Sequence, residues 1–431
     1  MSSIKLTPAR RIVGRLQLPG DKSISHRVAL ITALATGVSK ISNYSTARDC
    51  ASTLACLKQL RVPISWEGET LLIEGTQELR PPEGPLDCGN SGTTMRVLAG
   101  ILAAHDFTSE LFGDQSLNSR PMKRIMEPLE LMGARIRAND GRPPLKVTGS
   151  SKLHPITYKL PVASAQVKSA ILFAALRAEG RTQVTEMSPS RDHTERLFNG
   201  FGATVTSKDL SIALDGPARF TGGAMKIPGD ISSAAYFIAA AMLLPHSELT
   251  IDGVGLNPTR AQFLSVLSSW GADITTSDLQ SERNEPVGSV RVKGGLGPGL
   301  AENESKLGQS VIPSLIDELP LLAVVGTQIS GGIEIRDASE LRLKESDRLA
   351  ATAQNLRAMG AEVEDFADGL AVLGPTKLRG AKIDSFGDHR IAMAFSIAAL
   401  IADGPSEIEG SECVEISFPE FYKILGSIVV T

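Results

Sequence analysis

The sequence predicts an α/β protein of two domains, made of six copies of one repeat, three per domain. Two observations predict it. An apolar stretch that ends in a turn and opens a helix recurs, with its turn at positions 20, 89, 163, 229, 316 and 387, at intervals of 69, 74, 66, 87 and 71 residues. A second pattern, a helix running into a glycine and then an alternating strand, falls inside these intervals. A spacing of about 70 residues is too long for a solenoid, and 431 residues suffice for two or three cores.

The helix starts come in order. The first is Pro19-Gly20-Asp21-Lys22-Ser23-Ile24-Ser25-His26-Arg27, before the apolar residues 28–34. Cys88-Gly89-Asn90-Ser91-Gly92-Thr93-Thr94-Met95-Arg96 and Ala163-Ser164-Ala165-Gln166-Val167-Lys168-Ser169 follow. Pro228-Gly229-Asp230-Ile231-Ser232 echoes the first, and Ile316-Asp317-Glu318 and Gly387-Asp388-His389-Arg390 complete the set. Asp, Asn or Ser at each start predicts a cap, leaving N–H groups and a positive dipole end for an anion.

The second marker is Met132-Gly133-Ala134, Phe201-Gly202-Ala203, Trp270-Gly271-Ala272, Met359-Gly360-Ala361 and Leu425-Gly426-Ser427, with Leu60-Arg61-Val62 in its place in the first repeat. Each repeat therefore reads strand, helix, strand, helix, strand, strand. Short closing strands are expected at residues 71–75, 145–149, 290–294 and 370–374. The sixth repeat reaches Thr431 without one, and residues 12–18 are expected to complete it. This gives domains of residues 1–19 with 228–431, and 20–227, joined by two crossings that suit a hinge.

Composition narrows the function. The net charge is −4, with 42% hydrophobic and 21% charged residues, which argues against a nucleic-acid or membrane surface. Any anion site is then a local focus of cations. Residues 1–11 lack the apolar core of a signal peptide, and no apolar run reaches membrane-spanning length. Cys50, Cys56, Cys88 and Cys413 have no CxxC or metal-ligand spacing and read as reduced cytoplasmic thiols, with Cys88 as the candidate nucleophile.

The stretch Glu340-Leu341-Arg342-Leu343-Lys344-Glu345-Ser346-Asp347-Arg348 holds three cations and three anions. Alone it fits a solvated helix start capped by Ser346 or Asp347. Its functional reading depends on the other cations at equivalent points of the repeats: Lys22, Arg27, Arg120, Arg191 and Arg390. Arg suits planar anions, Lys a point charge or a proton. So many cations imply several anionic groups on the substrates, phosphates plus carboxylates. His26, His193 and His389, beside these cations, are expected to be structural hydrogen-bonding groups.

Residues 19–27, 89–96, Arg120-Pro121-Met122-Lys123-Arg124, 164–169, Ser190-Arg191-Asp192-His193-Thr194-Glu195, 341–348 and 387–393 resemble, in order and across nearly the whole chain, the 5-enolpyruvylshikimate-3-phosphate synthase family. The resemblance implies a two-domain enolpyruvyl transferase fold of six βαβαββ repeats, an inside-out α/β barrel, with the active site in the interdomain cleft. It implies transfer of enolpyruvyl from phosphoenolpyruvate to the 5-hydroxyl of shikimate 3-phosphate, with no metal or organic cofactor. Lys22, Ser23, Arg27, Ser164, Ala165, Gln166, Arg191, Asp317 and Lys344 would then hold shikimate 3-phosphate. Lys22, Gly92, Arg120, Gln166, Arg348 and Arg390 would surround phosphoenolpyruvate. Asp317, Glu345, Lys22 and Lys344 would be catalytic. A monomer acting only on small molecules is expected.

Three positions depart from the family's pattern. Ala165 stands where many members have a second Ser, and Glu340 and Ile416 where some have Asn and Lys. The sister transferase acting on UDP-N-acetylglucosamine carries a loop cysteine, and none lies between Asp114 and Arg120. A degenerate binding protein should have lost Asp317 or Glu345. A kinase would need GxxxxGK[ST], which is missing.

Overall fold

The computed structural model describes residues 2–296 and 305–431. The chain divides into two compact halves. The N-terminal half is Pro19–Pro228 with Ser281–Glu285, and the C-terminal half is Met1–Leu18, Gly229–Gln280 and Pro286–Thr431. Residues 281–285 are the turn of the hairpin formed by strands Asp273–Glu282 and Glu285–Lys293. The sequence does not single out this short excursion.

The second repeat shows the plan. Strand Leu86–Asp87 leads to helix Gly92–Ala103, strand Thr108–Phe112, helix Lys123–Leu131 and strands Arg135–Asn139 and Arg142–Thr148. In the sheet the first strand lies parallel to the second, and the last two form an antiparallel hairpin on it. The third repeat, with strands Thr157–Lys159, Gly180–Thr185, Val205–Lys208 and Ser211–Gly216, has the same order. The first helices are mostly apolar and buried nearly all round. Ala165–Ala175 is buried from Val167 to Ala175, and His389–Ile401 from His389 to Leu400, as helices of a core must be. Each half has its own apolar core.

Strand partners correct the sequence reading at the crossings. Arg11–Gln17 does not complete the sixth repeat. It lies parallel to Glu248–Gly255, from Val13 opposite Glu248 to Gln17 opposite Asp252, and so supplies the first strand of the fourth repeat. Its strand partner in the sixth repeat is Val429–Val430. The sixth repeat is instead completed by Ser3–Leu6, antiparallel to Ser406–Glu409. Reciprocally, Ala224–Lys226 lies parallel to Thr36–Ser42 in the first repeat. The two strands that precede the crossings have exchanged repeats.

The second marker holds where a left-handed residue ends a helix. Gly133, Gly202, Gly271 and Gly360 all have positive φ, and in the first repeat Arg61 takes the same conformation at φ 66°. The sixth repeat departs from it: Gly426 lies inside helix Phe421–Ile428, which runs directly into Val429–Val430.

Five of the six first helices carry the expected side-chain cap. Asp21, Ser91, Ser164, Asp230 and Asp388 each accept an N–H of the helix they precede. The fifth, Leu319–Gly326, starts after Glu318 without a side-chain cap and has Pro320 in its first turn. Asp317, the residue expected to cap it, is turned to arginines instead.

Candidate active site

In the N-terminal half three capped helices carry most of the expected binding residues. Lys22 opens helix Lys22–Ala33, and its Nζ lies 3.0 Å from Asp49 Oδ2. Ser23 is half-buried beside it, and its carbonyl accepts from Arg27 Nη1 at 2.9 Å. Arg27 is buried. Its Nε donates to Thr194 Oγ1 at 2.7 Å and its Nη2 to Ser169 Oγ at 2.9 Å. Burial pulls its pKa down to about 10, which Glu195 opposes and the neighbouring Arg191 reinforces.

Gly92 opens the second helix. A methyl group there would come 2.7 Å from Arg96 Nη1 and 3.5 Å from Arg120 Nη1, so the missing side chain is what lets two guanidinium groups crowd this helix start. Arg96 Nη1 donates to Gln166 Oε1 at 2.6 Å, and Gln166 Nε2 donates to Thr93 Oγ1 at 2.9 Å. Arg120 donates through Nη2 to Asn90 Oδ1 at 2.8 Å and Ser116 Oγ at 3.1 Å. Ser164 caps the third helix, with Ala165 and Gln166 half-buried in its first turn. Arg191 is half-buried on the loop before helix His193–Gly200. The structure therefore gathers Gly92, Arg120 and Gln166 around Arg96. The sequence reading quoted Arg96 as part of a motif without giving it a place in the site.

A buried polar chain joins the first two of these helices through Thr53 of helix Arg48–Gln59. His26 Nδ1 hydrogen-bonds Thr53 Oγ1 at 2.7 Å, Thr53 Oγ1 hydrogen-bonds Thr94 Oγ1 at 2.7 Å, and Thr94 Oγ1 donates to Ser91 Oγ at 2.8 Å. His193 has a structural partner as well, with Nδ1 2.8 Å from Glu285 Oε1.

In the C-terminal half the charged stretch 340–348 is not a solvated helix start. Asp347 does cap helix Arg348–Ala358, accepting Ala350 N–H at 3.0 Å. Arg348, however, is only 2% exposed and sits among three carboxylates. Its Nε donates to Asp388 Oδ2 at 2.8 Å, its Nη2 to Glu345 Oε2 at 2.5 Å, and its Nη1 to Asp317 Oδ1 at 3.3 Å. Burial works against the charge, and Asp388, Glu345 and Asp317 more than restore it, so the pKa of Arg348 is raised. Asp388 also accepts Arg390 N–H at 2.8 Å, which ties the two helix starts together. Arg390 Nη2 is 3.8 Å from Asp317 Oδ2, and its Nη1 is 3.8 Å from Glu318 Oε1. Burial pushes the neighbouring Tyr236 phenol up to about 12. Behind this layer, Ser232 Oγ donates to Glu318 and accepts from Arg260. Lys344, half-buried, has no hydrogen bond or ion pair among the described residues.

Sequence reasoning passed over Asp388 and Arg260 as site residues. Asp388 was legible only as a cap. Its second role follows from Arg348 folding back onto the start of a helix 40 residues away. Glu340 and Ile416 are half-buried on the short 3-10 turns Ser339–Leu343 and Ser411–Ile416. Cys88 is not a nucleophile: it is fully buried, and a hydrogen bond with Cys56 and burial hold its thiol pKa well above the usual value. Among the described residues no group of three or more His, Cys, Asp or Glu is placed to hold a metal ion, and no helix is long and apolar enough to cross a membrane.

Helix starts in the N-terminal half are crowded with Lys and Arg, and in the C-terminal half three carboxylates meet on one buried arginine, a chemistry compatible with anionic ligands. The family model for EPSP synthase (3-phosphoshikimate 1-carboxyvinyltransferase) matches residues 6–425. A 3-phosphoshikimate 1-carboxyvinyltransferase of Koribacter versatilis (strain Ellin345) is 50% identical over 431 residues, covering 100% of both chains. One of Solibacter usitatus (strain Ellin6076) is 49% identical over 98% of this chain and 99% of its own. A solved EPSP synthase from Acinetobacter baumannii superposes with a TM-score of 0.87 at 38% identity, over 100% of this chain and 98% of that one. The chain belongs to the EPSP synthase family. It is an enzyme that transfers the enolpyruvyl group of phosphoenolpyruvate to the 5-hydroxyl of shikimate 3-phosphate, releasing phosphate, on the route to chorismate and the aromatic amino acids.

The buried histidine gives this half a pH dependence. Burial, then Lys22 and Arg27, hold the His26 pKa well below its usual value. The unfolded chain takes up a proton near pH 6.5 and the folded one does not. The stability is therefore present above pH 6.5 and lost as pH falls toward the depressed folded pKa, at up to about 1.4 kcal/mol per pH unit for this one group. His26→Gln should flatten the dependence by that amount, read from urea unfolding between pH 7.5 and 5.5. An unchanged slope would show that His26 is protonated in the fold.

Proposed function

We propose that Asp317 and Glu345 carry the proton transfers of this reaction and that the clustered cations hold its two anionic substrates. The observation that carries the reading is the Arg348 cluster. One buried guanidinium donates to both carboxylates, at 3.3 and 2.5 Å, and so brings the two acids together on a single cation.

The steps follow from the chemistry of an enol ether. The 5-hydroxyl oxygen adds to C2 of phosphoenolpyruvate while C3 gains a proton, giving a tetrahedral ketal. C3 then loses a proton as the C2–O bond to phosphate breaks. Asp317 takes the hydroxyl proton. Glu345, entering the step protonated, delivers a proton to C3 and, as a carboxylate, removes one in the second step, while the proton held by Asp317 leaves with the phosphate. Lys344 orients substrate and carries charge. Lys22 takes part in both substrate sites and in charge balance.

Ser23 and Arg27 hold the shikimate ring and carboxylate. Ser164, Gln166, Arg191 and the Ala165 backbone hold its phosphate and ring. Lys22, Gly92, Arg120, Gln166, Arg348 and Arg390 surround phosphoenolpyruvate. Its carboxylate competes with Asp317 and Glu345 for Arg348, which loosens both acids as the substrate arrives. Charge-assisted hydrogen bonds of about 1.5–3 kcal/mol each keep the substrates in register. The reading also includes a monomeric cytoplasmic enzyme, for which the four buried, free thiols support the compartment.

Phosphate release, measured with both substrates and with each alone, tests the proposal in the parent and in Glu345→Gln. Release should need both substrates and fall by about 10²–10⁴-fold in the variant, with shikimate 3-phosphate binding nearly intact. Turnover within about twofold of the parent would remove Glu345 from this role.

Gly92 sets inhibitor sensitivity. Glyphosate bears a phosphonate and a carboxylate and is longer than phosphoenolpyruvate, so it competes for the same cations and needs more room. The methyl of Gly92→Ala meets Arg96 Nη1 at 2.7 Å and displaces a guanidinium bonded to Gln166 at 2.6 Å. Overpacking of about 1–3 kcal/mol, roughly tenfold or more in affinity, should fall on the longer inhibitor. The inhibition constant should therefore rise by more than the KM for phosphoenolpyruvate. An equal rise in both would contradict the steric account.

A further inference from the structure

Lys168 takes no part in the reaction described above, yet its side chain is only 1% exposed. Its Nζ lies 3.0 Å from Glu186 Oε2 and 2.7 Å from Glu195 Oε1, and both carboxylates are themselves about nine-tenths or more buried, at 5% and 6% exposure. The two acids bracket the loop that carries Arg191. Glu186 follows strand Gly180–Thr185, where its N–H is fixed to Leu210 O at 2.8 Å. Glu195 lies in the first turn of helix His193–Gly200. Inside the loop, Ser190 Oγ donates to Glu186 Oε1, so the residue preceding Arg191 is tied to the same carboxylate that holds Lys168.

At its other end Lys168 belongs to helix Ala165–Ala175, and its N–H donates to Ser164 O at 3.0 Å. The ammonium sits one turn along the helix from Ser164, Ala165 and Gln166. The next residue strengthens the tie: Ser169 Oγ hydrogen-bonds Thr194 Oγ1 at 2.7 Å and donates to Ala165 O at 2.6 Å. Burial opposes the charge on Lys168, and Glu195 and Glu186 overcome it, which keeps the ammonium charged.

We propose that Lys168, clamped between Glu186 and Glu195, is a positioning residue that sets the Arg191 loop against the start of helix Ala165–Ala175 and so fixes the spacing of the shikimate phosphate subsite. The inference rests on the reading of Ser164, Gln166 and Arg191 as phosphate ligands. A fully buried ion cluster is a poor way to gain stability, because well-packed neutral groups of similar volume are often as stable or more so. Its gain is geometric. An ammonium between two carboxylates admits one separation of the elements that bear them.

The test separates geometry from stability. Shikimate 3-phosphate affinity by calorimetry, both KM values, kcat and Tm are measured in Lys168→Met, in the neutral triple variant Lys168→Met/Glu186→Gln/Glu195→Gln, and in Arg191→Ala. The triple variant buries no charge at this cluster and should melt near the parent temperature. Both Lys168 variants should bind shikimate 3-phosphate about tenfold or more weakly and raise its KM likewise, while kcat and the KM for phosphoenolpyruvate stay within about twofold. Arg191→Ala should weaken the same substrate at least as much. If Arg191→Ala weakens it and the triple variant binds it like the parent, Lys168 is not a positioning residue. If Arg191→Ala leaves binding unchanged, the assignment of Arg191 fails and the inference falls with it. A lower Tm with an unchanged KM would assign Lys168 to stability alone and also overturn the proposal.

Discussion

The charge on Arg348 is the constraint around which the charged groups of the C-terminal half are arranged. A guanidinium buried to 2% exposure persists only where its hydrogen bonds are satisfied by opposite charge. Asp388 meets that need from the start of one helix, Glu345 from one turn upstream on the same chain segment, and Asp317 from the start of a third helix. Each contact has a consequence. Asp388 is shared between Arg348 and the N–H of Arg390, which sets two helix starts in one register. Asp317 is drawn away from capping its own helix, and that helix begins on Pro320 without a side-chain cap. Glu345 and Asp317 reach the same cation through its two terminal nitrogens.

The N-terminal half solves a related problem by other means. Its capped helix starts are joined through uncharged groups, the His26–Thr53–Thr94–Ser91 chain, and its guanidinium groups bond amides, hydroxyls and carbonyls as well as acids. Neutral acceptors leave more of the positive charge uncompensated than carboxylates do. The two halves thus hold their buried arginines differently: Arg27 donates to hydroxyls and a carbonyl, Arg348 to carboxylates. A repeated βαβαββ element offers the same anion-friendly helix start several times, and the residues beyond the cap decide its use.

How much of this was legible in the sequence depended on the range of the interaction. Caps and turns are local, so Asp21, Ser91, Ser164, Asp230 and Asp388, and the positive-φ glycines 133, 202, 271 and 360, were readable from a few residues. Strand partnership is not local. Residues 11–17 alternate well enough to fit several edges, and nothing within them says that they lie beside Glu248–Gly255 while Ser3–Leu6 goes to the sixth repeat. Gly426 looked like the other turn glycines because helix interiors tolerate a glycine at a cost of only about 1 kcal/mol. The Arg348 motif was recognisable as a family signature, but its local charge pattern alone suggested a solvated face. Burial by distant segments reverses that reading. Arg96 escaped for the same reason: its partner Gln166 is 70 residues away.

The account turns on Arg348 being what allows three carboxylates to share one buried place. Urea unfolding of Arg348→Met against the parent, at pH 8 and pH 5.5, measures this directly. Removing one partner of a buried ion cluster costs about 3–5 kcal/mol, and at pH 8 the variant should show a loss of that order. A buried carboxylate that loses a cationic partner is relieved by taking up a proton. The loss should therefore shrink at pH 5.5 by about 1.4 kcal/mol or more, the equivalent of one pKa unit. A deficit equal at both pH values would contradict the account, because it would mean that the arginine holds the fold by packing rather than by neutralising the acids around it.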